Sequence, residues 1–235
     1  MQLPAFSSPA LARLWTHDCV LCLAPAGASM LCADCARGIE PHVPACGGCA
    51  LPLASPALPC PACRGERFAF DGAAARFEYR FPVDRLVQRF KYAGDLALGR
   101  WLAQELAHRV AGEPRPDLLV VPPLSAARLR ERGFNPALEL AREVGRRIAV
   151  RVDARALERR RDTPAQAGLG RRARRANLRD AFACTASLRG RRIAIVDDVL
   201  TTGATADALA RALKSAGAES VVVWALARAP EPSLR

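Results

Sequence analysis

The 235-residue sequence predicts an α/β domain, with a central parallel sheet flanked by helices, preceded by a small cysteine-rich domain. Three observations carry this prediction. From residue 73 onward, short apolar runs alternate with longer stretches of helical periodicity, the pattern of buried parallel strands joined by crossover helices. One such run, Ile193–Val196, leads into two adjacent carboxylates, Asp197 and Asp198, and then into the turn Thr201-Thr202-Gly203-Ala204-Thr205. Eight of the nine cysteines fall within the first 70 residues. The expected domains are therefore 1–70 and 71–235.

The cysteines form four Cys-x-x-Cys pairs: Cys19/Cys22, Cys32/Cys35, Cys46/Cys49 and Cys60/Cys63. Each pair suits a knuckle that presents two thiolates to one metal ion. Two knuckles complete a tetrahedral four-cysteine zinc site with no open position, which is structural rather than catalytic. The spacers inside the two halves are nine residues (23–31) and ten residues (50–59), and this near-repeat favours two tandem zinc ribbons. A cross-braced pairing and a single site are the alternatives. A segment so small and proline-interrupted buries little core, so zinc would supply much of its folding energy. Disulfides are disfavoured because Met1–Asp18 lacks a signal-peptide pattern and no apolar run reaches ~18 residues, which predicts a cytoplasmic protein with no membrane contact. His17 and His42 read as surface residues.

Ala73–Tyr79 reads as a strand and Phe81-Pro82 as a turn. Leu86, Val87 and Phe90 share one face of a helix ending near Gly94, and Leu98, Leu102, Leu106 and Val110 recur four apart in a second helix. Asp117–Val121 suits a core strand. The stretch after it carries Leu124, Ser125, Arg128 and Arg132 and reads as a loop, followed by a helix with Asn135 as N-cap and Pro136 at its first position. Arginines on such a loop suit pyrophosphate oxygens. Phe134 beside them reads either as a buried aromatic or as a stacking platform for a base.

Charge is unevenly spread. Residues 151–192 hold thirteen Arg against four acids, a net +9, while residues 1–70 are neutral. Arg159–Arg179, rich in Arg and poor in large apolar residues, reads as a long loop, and loops of this length are usually functional or disordered. Arg171, Arg172, Arg174 and Arg175 are candidates for holding the phosphates of single-stranded DNA. Ser220–Ala227 is the last expected strand.

The stretch around Asp197 is the most specific. The first-turn amides of the helix that follows, at Thr202 to Thr205, together with the helix dipole, favour a phosphate dianion. Gly203 lets the backbone approach the ligand, and the threonine hydroxyls add donors. Asp197 and Asp198, expected at the carboxyl end of the strand, offer acceptors for a vicinal diol. Phosphate plus diol describes a ribose 5-phosphate. The turn has no lysine, which excludes a P-loop.

In this order of residues the stretch resembles the phosphoribosyl-diphosphate (PRPP) motif of type I phosphoribosyltransferases, with Ala204 where many members have a second glycine. The Arg132-Gly133-Phe134-Asn135 segment is similar to that of ComF-type competence proteins (ComFC-like), a branch of phosphoribosyltransferase-like proteins with an N-terminal zinc-binding domain. Pro136 stands where that branch commonly has Gln. Arg161, Thr163 and Gln166, then Arg175 and Asn177, then Phe182 extend the likeness, with Asp180 where Gly is usual; Phe90-Lys91-Tyr92 resembles its Leu-Lys-Tyr element. The resemblance implies Mg2+-bound PRPP, with its 5-phosphate on Thr201, Thr202, Gly203, Ala204 and Thr205, its ribose diol on Asp197 and Asp198, and its pyrophosphate on Leu124, Ser125, Arg128 and Arg132. It also implies DNA uptake during natural transformation, with single-stranded DNA as a ligand and a competence helicase as a partner. The alternative is an active phosphoribosyltransferase, similar to amidophosphoribosyltransferases, in nucleotide metabolism.

Overall fold

The computed structural model describes residues 17–39, 44–53, 60–64, 68–161, 178 and 180–230. The chain divides into two compact units, Met1–Glu40 and Pro41–Arg235. The cysteine-rich first 70 residues are thus shared between them, one four-cysteine group in each. The described part of the smaller unit contains one short helix, α1 (Ala33–Arg37), capped by the sulfur of Cys32.

The larger unit opens with the cysteine segment that ends in α2 (Pro61–Arg64), and is then built on a five-stranded sheet. Its strands are β1 (Gly72–Glu78), β2 (Leu118–Val120), β3 (Val152–Asp153), β6 (Arg192–Leu200) and β7 (Ser220–Arg228), in the order β1-β7-β6-β2-β3. Every pairing is parallel. Parallel neighbours require crossovers, and the helical segments supply them. Helices α3 (Val83–Ala93) and α4 (Leu96–Val110) join β1 to β2; α5 (Ala126–Arg132) and α6 (Pro136–Ile148) join β2 to β3; α7 (Ala204–Ser215) joins β6 to β7. Between β3 and β6 lies a small antiparallel hairpin, β4 (Leu157–Arg159) with β5 (Phe182–Cys184).

Side-chain alternation explains the layers. Ile193, Ile195, Val221 and Val223 face one side, where Leu209 and Leu213 of α7 and Phe182 of the hairpin complete a single apolar cluster. Helices α4 and α6 pack against each other, α4 also against β1 and β7, and α6 against β6 and β2. Central strands covered on both faces are nearly all apolar, as β2 (Leu-Leu-Val, fully buried) illustrates.

Two expectations need correction. Strand β6 does not end at the carboxylates: it runs through them to Leu200, because β7 is equally long and pairs with Asp197, Val199 and Leu200 at its far end. The segment holding Arg128 and Arg132 is a helix rather than a loop. Ser125 caps it, its hydroxyl accepting from the Arg128 N–H at 3.4 Å, and Gly133 ends it at φ 74°. Arg, Leu and Ala all favour helix, and a cap at each end suffices to close two turns. The Asn135 cap and Pro136 start of α6 are as expected, the Asn side chain accepting from Ala137 N at 3.1 Å and donating to Pro122 O at 3.1 Å.

Candidate ligand site and metal centres

Strands β6 and β2 are neighbours, and the connection leaving β6 covers one face of the sheet while the connection leaving β2 covers the other. Where crossovers part in this way, a crevice opens at the carboxyl ends of the strands. Leu124, Ser125 and α5 leave β2 at that edge; Thr201 to Thr205 leave β6 there.

The end of α3 organises the crevice. Successive helical residues project about 100° apart, so Phe90, Lys91 and Tyr92 reach three different places. Phe90 is fully buried and packs on Phe134, ring centroids 5.6 Å apart. The Phe134 ring, a candidate base platform from sequence, is thus engaged on one side with the core. Lys91 places its Nζ 2.7 Å from Asp198 Oδ1, both side chains about 15% exposed (16% and 14%). Tyr92, 64% exposed, accepts from Arg132 Nη2 at 3.2 Å, and the guanidinium lies 4.9 Å from its ring centre. The Arg132 Nε is buried with no hydrogen-bond partner among the described residues. Arg128 and Arg130 are exposed.

Asp197 and Asp198 are consecutive residues in the second half of β6, and they interact directly. Asp197 Oδ1 accepts from the Asp198 N–H at 2.8 Å. Burial, then the charge of Asp198, push the Asp197 carboxyl up to about 7, and Lys91 and that N–H only partly offset them. The two carboxyl groups offer acceptor oxygens beside the Lys91 ammonium, a set that suits hydroxyl groups.

The turn that follows is tight. Gly203 sits at φ 78°, a left-handed conformation that disfavours side chains, and a Cβ there would meet Phe68 Cε1 at 2.8 Å. Thr202 Oγ1 accepts from Ala204 N at 3.4 Å. Asp207, one turn into α7 and 3% exposed, accepts from Ala69 N at 2.6 Å and pairs with Arg211 at 3.1 Å. Thr201 is exposed and Thr202 and Thr205 half-buried, while Gly203 and Ala204 are buried.

The cysteine sulfurs gather into two groups in tandem, Cys19, Cys22, Cys32, Cys35 and Cys46, Cys49, Cys60, Cys63, all within 4.8 Å of one another in each. A tetrahedral ion with sulfur ligands at about 2.3 Å sets sulfurs about 3.8 Å apart. The separations Cys22–Cys32 (3.6 Å), Cys46–Cys63 (3.9 Å) and Cys49–Cys60 (3.4 Å) fit that geometry. The two knuckles are built alike. Cys19 N donates to Ala24 O and Leu23 N to Cys19 O; Cys46 N donates to Leu51 O and Ala50 N to Cys46 O. Leu23 and Ala50 both take positive φ, 64° and 56°. At Cys19 burial opposes ionisation, but the N–H groups of Cys32, Cys22 and Leu21 outweigh it and bring the thiol down to about 6. The neighbouring sulfurs then hold Cys35 far above the ordinary thiol range.

Arg171, Arg172, Arg174 and Arg175 lie outside the described residues. On the hairpin flanking that segment, Arg159 lies 4.9 Å over the Phe182 ring. Sequence reasoning assigned no role to Lys91, Tyr92 or Phe68. The available signals for Lys91 were its place in the Phe90-Lys91-Tyr92 element and its being one of two lysines against 33 arginines.

Residues 99–235 match the family described as phosphoribosyl transferase domain. The chain is 35% identical over 218 residues to DNA utilization protein YhgH of Salmonella typhi, covering 89% of this chain and 96% of that one. It is 33% identical over 208 residues to Competence protein F of Haemophilus influenzae, covering 85% and 90%. Among solved structures, a purine phosphoribosyltransferase from Pyrococcus horikoshii aligns with a TM-score of 0.32 and 20% identity, over 69% of this chain and 82% of that one. The matched domain, the parallel sheet and the identity to these relatives along most of the sequence lead to one assignment: the chain belongs to the phosphoribosyl transferase domain family, in the group that contains Competence protein F and the YhgH proteins.

Proposed function

We propose that this protein binds Mg2+-PRPP or a ribose 5-phosphate group in the crevice between β2 and β6, and that it acts in DNA uptake by handling single-stranded DNA. The observation that carries the ligand reading is the Asp197-Asp198 pair, held by Lys91 at the rim one turn before the Thr201–Thr205 backbone. Asp198, fixed by Lys91, and Asp197, fixed by the Asp198 N–H, keep free lone pairs for the two ribose hydroxyls. The amides at the start of α7 and the three threonine hydroxyls receive the phosphate. Arg132, whose Nε has no hydrogen-bond partner among the described residues, and Arg128 offer donors to pyrophosphate. Magnesium would enter with the pyrophosphate. Zinc is the metal we assign to both cysteine groups, where it has a structural role.

The DNA reading is supported by the names of the relatives, one a DNA utilization protein and one a competence protein. The net +9 of residues 151–192 fits the backbone of a single strand. As a transferase, the same site would open the bond between the anomeric carbon and pyrophosphate, which leaves with the electron pair as a nucleophile adds to that carbon. The test measures single-stranded DNA affinity against salt. Replacing Arg171, Arg172, Arg174 and Arg175 by Gln is expected to flatten the log-log slope by up to about 3 units, about 0.7 per lost phosphate contact. Acceptor-dependent pyrophosphate release from Mg2+-PRPP, without salt-sensitive DNA binding, would instead establish the transferase.

A further inference from the structure

Resting on the ligand reading above, we infer that the second cysteine group is a strut for the phosphate turn, that Arg228 is the positioning residue joining the two, and that metal at Cys46, Cys49, Cys60 and Cys63 therefore sets the affinity for ribose phosphate. Arg228 lies at the end of β7 and is 2% exposed. Its Nε donates to Cys49 O at 2.9 Å, inside the second knuckle. Its Nη1 donates to Leu200 O at 3.0 Å, to Ala229 O at 2.6 Å and to Thr201 O. One buried guanidinium thus binds the metal knuckle and the first residues of the turn. Arg suits this role because its donors form a rigid fork.

The geometry gives the contact a consequence for ligand binding. Across a planar trans peptide, C=O and the following N–H point in opposite directions. Drawing the carbonyls of Leu200 and Thr201 inward to Arg228 turns the N–H groups of Thr201 and Thr202 outward, the orientation a phosphate needs. The fixed positive charge behind the turn favours the same anion.

A second contact runs in parallel. Phe68 packs against the knuckle residues Cys49, Leu51, Cys60 and Ala62 on one side and closes over Gly203 on the other. Gly47 O also accepts from Ala73 N at 2.9 Å, which fixes the knuckle to the start of β1. Without the metal, four crowded thiols lose their common centre, the Cys49 carbonyl moves, and both contacts on the turn are released together. A group that sits in solvent on its own ribbon would have no such effect.

The test is amide hydrogen exchange of residues 200–205 in the ligand-free full-length protein, alongside the dissociation constant for Mg2+-PRPP. Arg228→Met keeps the eight cysteines of the two groups and removes the fork; Leu106→Ala, a core truncation in α4, controls for general destabilisation. Arg228→Met is expected to speed exchange at 201–205 at least tenfold beyond Leu106→Ala, and to weaken PRPP at least tenfold. Should Arg228→Met fail to fold, wild-type protein stripped of the second metal by chelator is read in the same way, and Cys46→Ser/Cys63→Ser gives the same comparison without chelator. Exchange at 201–205 that does not differ from the control, or that ignores loss of the second metal, overturns the strut. If exchange changes as expected but wild type binds no PRPP, the strut stands and the ligand assignment falls.

Discussion

Asp197 illustrates how its surroundings in a strand tune a carboxyl group. It lies in β6 three residues before the strand ends at Leu200, and burial and the adjacent Asp198 hold its carboxyl up at about 7 instead of near 4. A carboxyl raised on folding stabilises the fold fully below its unfolded value, and that stability is lost as pH rises through its folded value. Asp197→Asn keeps an acceptor for the Asp198 N–H and cannot ionise. It is therefore expected to match wild type near pH 4 and to exceed it by about 4 kcal/mol above pH 8, measured by urea unfolding at both pH values. Equal stability of the two proteins at pH 8 would mean that Asp197 ionises freely. Lys91 works at the same scale: it lowers the Asp197 carboxyl while fixing Asp198, so one side chain conditions both acids.

At the scale of elements, the Thr201–Thr205 turn depends on a backbone shape at Gly203 that only glycine takes without strain. Gly203→Ala adds a methyl at φ 78°, with its Cβ 2.8 Å from the Phe68 ring. A destabilisation of about 1–3 kcal/mol is expected, together with loss of affinity for ribose 5-phosphate by calorimetry. Affinity that survives would show that the ligand does not use this turn. What was legible in the sequence was what is decided locally. Asn135 and Pro136 mark the start of α6 because a cap and a proline act within one turn, and the i+4 leucines of α4 mark its buried face. The Cys-x-x-Cys spacing encodes the knuckles for the same reason. The far end of β6 was not legible, because its length is set by β7. Nor was α5, where four of the five residues 128–132 are charged and Leu129 alone makes no apolar face to read. Lys91–Asp198 and Arg228–Cys49 were hidden for the plainest reason, since their partners are brought together by the fold; Arg228 and Cys49 are 179 residues apart.

On the scale of the whole molecule, the two cysteine groups differ by the unit to which each belongs. The first lies in Met1–Glu40 and the second in Pro41–Arg235, where Ala50 of its knuckle joins the main apolar cluster. Purified protein is expected to hold about two zinc ions, one for each four-cysteine group. Emptying the first group is expected to leave the thermal transition of the larger unit unchanged, while emptying the second lowers it. Elemental analysis with calorimetry during graded chelation checks this, and a protein with no zinc and four disulfides would refute it. The central claim is that the β2–β6 crevice is a ribose-phosphate site built on Asp197 and Asp198. Its most direct test is thermal unfolding with and without saturating Mg2+-PRPP, each protein compared with its own ligand-free form. At ligand about 100-fold above its dissociation constant, wild type should gain about 2.7 kcal/mol, a rise of several degrees, and Asp197→Ala/Asp198→Ala should gain nothing. No rise in wild type, or an undiminished rise in the double variant, would contradict the claim.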